Sequence, residues 1–471
     1  MRFLIISLAL ILLAGCAQNP VTGESDFVMM SEGQEVAVGR LNDEQVKKQY
    51  KVYEAKALQD YVNGVGQKIA KQSHRPNLQY RFTVLDTPEI NAFALPGGYI
   101  YITRGIMAYL NSEAELAGVL GHEIGHVTAR HGVRQQSATQ AANIGINIAS
   151  IFVPEIGSSI GKKVSDVVSG ALLSGYGRDQ ELEADRLGAV YLSRSGYDPE
   201  AITRVIGVLK NQESQDAELA KQEGRELRRY HGLFASHPDN DTRLQQAVGE
   251  AGKNSSPSAH FEGRNEFLAA LDGLVFNDNG DQGVLRNNCF YHGELGIAVQ
   301  FPEDWQVHNL PDTLAAVSLQ GEAQLQLKIV AQPHGSPVEY ARQLGANGAQ
   351  AVKVHGLPAA LIDLPDSIIG VIFLGQQAFI LQGQAKTRQG LAKHRDEIID
   401  AIQSFHALGN DERSLVRPLA IRIHAARQGD TYARLAQVSP LGKSAQSYLR
   451  LINAQYPDGE PQLGQRIKVI E

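Results

Sequence analysis

Apolar residues fall at Leu116, Val119, Leu120, Ile124 and Val127. That spacing draws one stripe along a helix and predicts that the stripe is buried. Ser112 and Glu115 stand ahead of it at capping-box spacing, so the helix is expected to open at Asn111–Glu115. Gly132 fits its end. A second helix is expected around Glu181–Asp185, with Asp179 as its cap. Residues 141–173 are apolar and glycine-rich and are interrupted by Pro154, a pattern that suits a packed helical hairpin. Asn91–Ile102 has the composition of an extended strand. Farther on, Ile297, Val299 and Phe301 alternate, as do Leu325, Leu327 and Ile329. A period of two marks half-buried strands. Ser367–Leu374 and Ala378–Gln384 flank Gly375-Gln376-Gln377 and predict a hairpin, and Leu391–Phe405 predicts a helix.

These textures divide the chain. Residues 1–15 form a signal, 16–25 a tether, 26–252 a helix-rich domain and 253–274 a linker. A small α+β domain at 275–410 and a separate module at 415–471 follow. A length of 471 residues exceeds one comfortable core, so several domains are expected. With 43% apolar and 20% charged residues the chain is globular. A net charge of -7 and the lack of a basic cluster argue against a nucleic-acid partner. Phe3–Leu13 is an apolar run after one basic residue. It is too short to span a bilayer, which takes about 20 residues, and fits an export signal. Leu13-Ala14-Gly15-Cys16 resembles a bacterial lipobox, which implies lipidation of Cys16 and a membrane anchor. Ala17 follows the cysteine, and the resemblance to bacterial lipoprotein sorting rules implies the outer membrane. Cys289 is then the remaining cysteine, without a disulfide partner, and is expected to be buried and inert.

The chemistry lies in Gly121-His122-Glu123-Ile124-Gly125-His126. Histidines four apart share one helix face, so two imidazoles can reach one Zn2+ ion. Glu123 is rotated about 100° from His122 and suits a general base beside the open coordination position. The third ligand must come from elsewhere. Ala129 and Gly132 occupy the positions where metzincins need Gly and His, which excludes that class. His131 is off the shared face. Glu181 and Asp185, four apart, offer a metal ligand and a carboxylate that orients the far nitrogen of His122. Glu183 is expected to make a surface or structural pair.

The segment resembles the peptidase domain of the HtpX, CAAX prenyl protease and BepA family of gluzincin-type zinc metallopeptidases. The resemblance rests on His122-Glu123-x-x-His126, on Arg178 with Glu181-x-x-Ala184-Asp185, on Asn91–Ile102 and on Ser236-His237-Pro238. Gly177 stands where the family commonly has Ser. The resemblance implies a multidomain protein led by a mainly α, zincin-like α+β domain. It implies metalloendopeptidase activity of the bacterial envelope on protein or peptide substrates, outer-membrane proteins among them. It implies His237 near the metal, either as an oxyanion donor or as an inhibitory ligand. Arg178 would anchor the acidic cluster. Asn91, Ala92, Phe93 and Ala94 would line the substrate cleft as an edge strand. Residues 415–471 resemble a LysM-type module through Gly429-Asp430-Thr431, Leu435-Ala436, Leu451, Asn453 and Leu463-Gly464-Gln465. That implies peptidoglycan as a further partner. The competing class is a periplasmic chaperone, scaffold or glycan-binding protein with latent proteolysis.

Overall fold

The computed structural model describes residues 16–28, 30–138, 176–223, 261–280, 283–286, 288–310, 313–331, 335–343, 345–346 and 348–471. The expected signal at 1–15, the apolar segment 141–173, His237 and residues 253–260 lie outside them. The described chain falls into two units. One holds residues up to 215 together with 261–274 and 420–471, and the other holds 216–223 and 275–419.

The first unit opens with a short antiparallel hairpin, β1 (Cys16–Gln18) and β2 (Ser25–Phe27). Helix α1 (Glu32–Gln49) starts at Ser31, whose side chain and that of Gln34 satisfy each other's backbone N–H groups. After α2 (Lys56–Ala70) comes a three-stranded sheet of β3 (Arg81–Leu85), β4 (Ala92–Leu95) and β5 (Tyr99–Thr103). Its order is β3-β5-β4, so β4 lies at an edge. The expected single strand at 91–102 is in fact a hairpin. Gly97 and Gly98 take φ of 78° and 89°, which only glycine adopts without strain, and turn the chain back. The pairs Phe93–Tyr101 and Leu95–Tyr99 pack with Val46 of α1 and with Tyr50, which caps its end. Ala92, Ala94, Ile100 and Ile102 alternate with them and point to the opposite face.

After α3 (Arg104–Met107), helix α4 (Glu113–Thr128) carries the histidine motif. Ser112 caps it, accepting from Glu115 N–H at 3.1 Å. The Glu115 carboxylate reaches one residue farther than a capping box requires, to Asn111 N–H at 2.7 Å. The helix ends before Gly132: Arg130 takes φ of 55°, and a new helical stretch runs over 131–138. Helix α5 (Arg178–Arg194) is capped by Gly177, which leaves Asp179 in the first turn. Helix α6 (Ala201–Glu223) follows. Within the expected linker, α7 (Arg264–Leu271) buries Phe267, Leu268 and Leu271.

Residues 420–471 share this unit. Strands Leu419–Ala425 and Arg466–Ile470 pair antiparallel around helices Tyr432–Ala436 and Ala445–Ile452. Lys468 is fully buried, and its Nζ donates to the carbonyls of Ala108 at 2.7 Å and Leu110 at 2.6 Å, just ahead of α4. Arg264 of α7 donates to the Asn111 and Arg466 carbonyls.

The second unit is an antiparallel α+β domain. Its seven-stranded sheet runs in the order Gln306–Leu310, Thr313–Val317, Ala323–Ala331, Gln377–Ala385, Ser367–Leu374, Leu357–Asp363 and Gln350–Val354. The hairpin about Gly375 is present, its second strand starting at Gln377. The helix expected at 391–405 is two helices, Arg388–Lys393 and Arg395–Ser404, parted at His394. Ile398, Ile402 and Phe405 pack with Ile372, Phe379 and Leu381 in its core.

A buried ionic cluster ties the first unit together. Glu35 of α1, 1% exposed, accepts from Arg75 Nη1 at 2.8 Å, Arg130 Nε at 3.0 Å and Gly97 N–H at 3.3 Å. Removing its carboxylate strands two guanidinium groups in the interior. Glu35→Ala is expected to lower unfolding free energy by about 3–5 kcal/mol in chemical denaturation. A change under about 1 kcal/mol would show that the cluster contributes little.

Candidate metal centre

Helices α4 and α5 approach backbone to backbone at two glycines. A Cβ added to Gly125 would stand 2.9 Å from the Ala184 carbonyl oxygen, and one added to Gly188 would stand 3.1 Å from His122 N. This approach carries Glu181 of α5 to the histidines of α4. His122 Nε2 and His126 Nε2 are 2.9 Å apart. The Glu181 carboxylate oxygens lie 3.5 Å from the first and 3.4 Å from the second. One ligand atom from each of the three residues lies within 4.8 Å of the others, a spacing that one ion can bridge. Among the described residues these three side chains form a possible metal site. All three are buried.

Each histidine is held at its other nitrogen. His122 Nδ1 lies 2.8 Å from Asp185 Oδ1. A carboxylate accepts only, so Nδ1–H donates to it and Nε2 is left facing the centre. His126 Nδ1 lies 2.8 Å from His131 Nδ1, and His131 Nε2 lies 3.0 Å from Glu183 Oε2. On a continuous helix His131 would stand about 140° around from His126. The left-handed turn at Arg130 cancels that rotation and swings His131 back against His126. Periodicity carries no sign of such a turn, because its residue is an arginine and not a glycine. Burial holds the His131 pKa below its ordinary value, against the pull of Glu183.

Glu123 is fully buried on α4. Tyr176 stacks on His126, with ring centroids 4.1 Å apart and planes at 19°. Burial, then the charges of Glu123 and Glu181, push its phenol pKa up. Tyr176 escaped the sequence reading because it precedes the helix and belongs to no period. A pocket lined by Leu95, Pro96, His126, Val127, Gly132 and Tyr176 joins the end of β4 to this centre. Ala92, Phe93 and Ala94 lie in edge strand β4, and Asn91 just before it donates its N–H to Thr103 Oγ1. Arg178 is exposed at the start of α5. Cys16 is the first residue of β1. Among the described residues no helix is long and apolar enough to cross a membrane.

Residues 56–251 match the model of Peptidase family M48. The beta-barrel assembly-enhancing protease of Yersinia pestis is 29% identical over 239 residues, 49% of this chain and 47% of that one. The putative beta-barrel assembly-enhancing protease of Vibrio cholerae is 33% identical over 153 residues, 31% of each chain. Metalloprotease YcaL of Escherichia coli is 28% identical over 194 residues, 41% of this chain and 65% of that one. The chain thus spans about half the length of the first curated relatives it matches.

The electrostatics predict how a cation would enter. Burial opposes charge on His122, but Asp185 and then Glu181 outweigh it and lift its pKa to about 10. A raised folded-state pKa stabilises the metal-free protein fully below the ordinary value of 6.5, and the contribution fades as pH rises through about 10. A metal ion must displace that proton from Nε2. Divalent-cation affinity is therefore expected to rise about tenfold per pH unit between roughly pH 7 and 9, with about one proton released per ion. Titration calorimetry in buffers of different ionisation enthalpy reads the proton count. Binding without proton release would contradict the charged state of His122.

Proposed function

We propose, for a chain that carries a peptidase family M48 domain, zinc-dependent hydrolysis of peptide bonds in proteins of the bacterial envelope. The observation that supports it most is the convergence of His122, His126 and Glu181 beside buried Glu123. Two imidazoles and one carboxylate form the donor set of hydrolytic zinc sites, which keep a further position open. A bound zinc ion supplies Lewis acidity there, acidifying water and polarising a carbonyl.

The chain's own groups do the rest. Asp185 holds the His122 ring in the tautomer that ligates. Glu123, shielded from bulk water, accepts the proton of the attacking water and returns it to the leaving amine. Edge strand β4, with Ala92, Phe93 and Ala94, is where an extended peptide would add by backbone hydrogen bonds. Pairing of that kind is nearly indifferent to side chains and suits unfolded substrates. Arg178 anchors the acidic start of α5, and Asn91 sets the entry to β4. His237 serves near the metal as an oxyanion donor or as an inhibitory ligand. Replacement lowers activity in the first role and raises it in the second.

Lipidation at Cys16 would confine the enzyme to a membrane, the outer one by the residue that follows. Two relatives are named for beta-barrel assembly, which supports unassembled outer-membrane proteins as the substrate class. A LysM-like role for 415–471 would add peptidoglycan contact.

Glu123→Gln is expected to retain about one zinc per chain and to lose casein cleavage by about 10²- to 10⁴-fold. Metal analysis and a proteolysis assay on the same preparation decide it. A zinc-loaded wild type that cuts neither casein nor misfolded outer-membrane protein would overturn the reading.

A further inference from the structure

We propose that His131 and Glu183 are positioning residues that make His126 a metal ligand through a two-step hydrogen-bond relay. The inference rests on the reading of His122, His126 and Glu181 as a zinc site.

To ligate through Nε2, His126 must carry its proton on Nδ1. A buried N–H needs an acceptor. His131 Nδ1 stands 2.8 Å away and accepts only if the His131 proton sits on Nε2. Glu183 Oε2, 3.0 Å from Nε2, takes that proton's hydrogen bond. Each link dictates the next, so the relay has one direction compatible with a metal. Reversing it would place a proton on His126 Nε2 and require Glu183 to donate. Arg134 works against that reversal: its Nη1 lies 3.5 Å from the same Glu183 oxygen and favours the carboxylate. Arg134 is in turn 3.7 Å from Asp26 of β2. The relay runs from the partly exposed Glu183 side chain to fully buried His131.

The two ligand imidazoles are therefore oriented differently. His122 meets a carboxylate directly, whereas His126 meets one through a second ring. A core role for His131 would make only its volume matter. An orienting role makes the acceptor at the Nδ1 position matter.

The test is the zinc dissociation constant of the full chain, by competition with a chromophoric chelator, beside the melting temperature of the metal-free protein. His131→Leu keeps bulk and removes the acceptor, and is expected to weaken zinc binding about 10- to 100-fold. His131→Asn puts an amide oxygen near the Nδ1 position and is expected to restore affinity to within about threefold of wild type. Glu183→Gln, at a partly exposed site that tolerates the change, is expected to weaken binding about 3- to 10-fold. If the wild type binds zinc and all three variants match it, the relay is wrong and the metal site stands. Equal losses for Leu and Asn, tracking a lower melting temperature, would also overturn it in favour of packing. A wild type that binds no zinc would sink the metal site and the relay with it.

Discussion

The closeness of two helices governs the centre. Helices α4 and α5 approach backbone to backbone where Gly125 faces Ala184 and where Gly188 faces Gly121 and His122 N, and the Leu192 side chain fills the space beside Gly121. Larger residues at Gly125 or Gly188 would meet the facing backbone and push the helices apart, carrying Glu181 away from the two histidines. The small residues thus contribute no chemistry and determine whether chemistry is possible. The same crossing sets Asp185 against His122 and Glu183 against His131, because both ride with Glu181 on one helix.

A second constraint fixes the cleft relative to the centre. Glu35 joins α1, Arg75, the turn after β4 at Gly97 and the bend after α4 at Arg130. Arg75 also donates to the Val127 carbonyl, one residue beyond His126. A buried carboxylate is stable there because four donor groups answer its two oxygens. The cluster locks the edge strand to the end of the motif helix, so a peptide paired with β4 would lie at a set distance from His126.

Much of this was legible in the chain. Four-residue spacing put His122 with His126 and Glu181 with Asp185, since regular helices convert sequence distance into direction. The alternating runs gave the strands of the second unit for the same reason. What escaped depended on departures from regularity. His131 was discounted on a continuous helix that Arg130 interrupts. Asn91–Ile102 looked like one strand because residues on both sides of Pro96-Gly97-Gly98 have strand composition. Tyr176 is brought to His126 by tertiary packing, which leaves no local signal. Residues 415–471 looked separate, yet 420–471 share the first unit, because long-range hydrogen bonds such as that of Lys468 have no trace in composition.

That lysine has a consequence for the order of events. Its Nζ meets the carbonyl of Ala108 across 360 positions of sequence, shortly before the helix that bears the histidines. A polypeptide emerging amino-terminus first holds the whole of α4 and α5 long before residue 468 appears. The foundation of the motif helix stays unfinished through that interval, and its histidines gain this support only once residue 468 has been made.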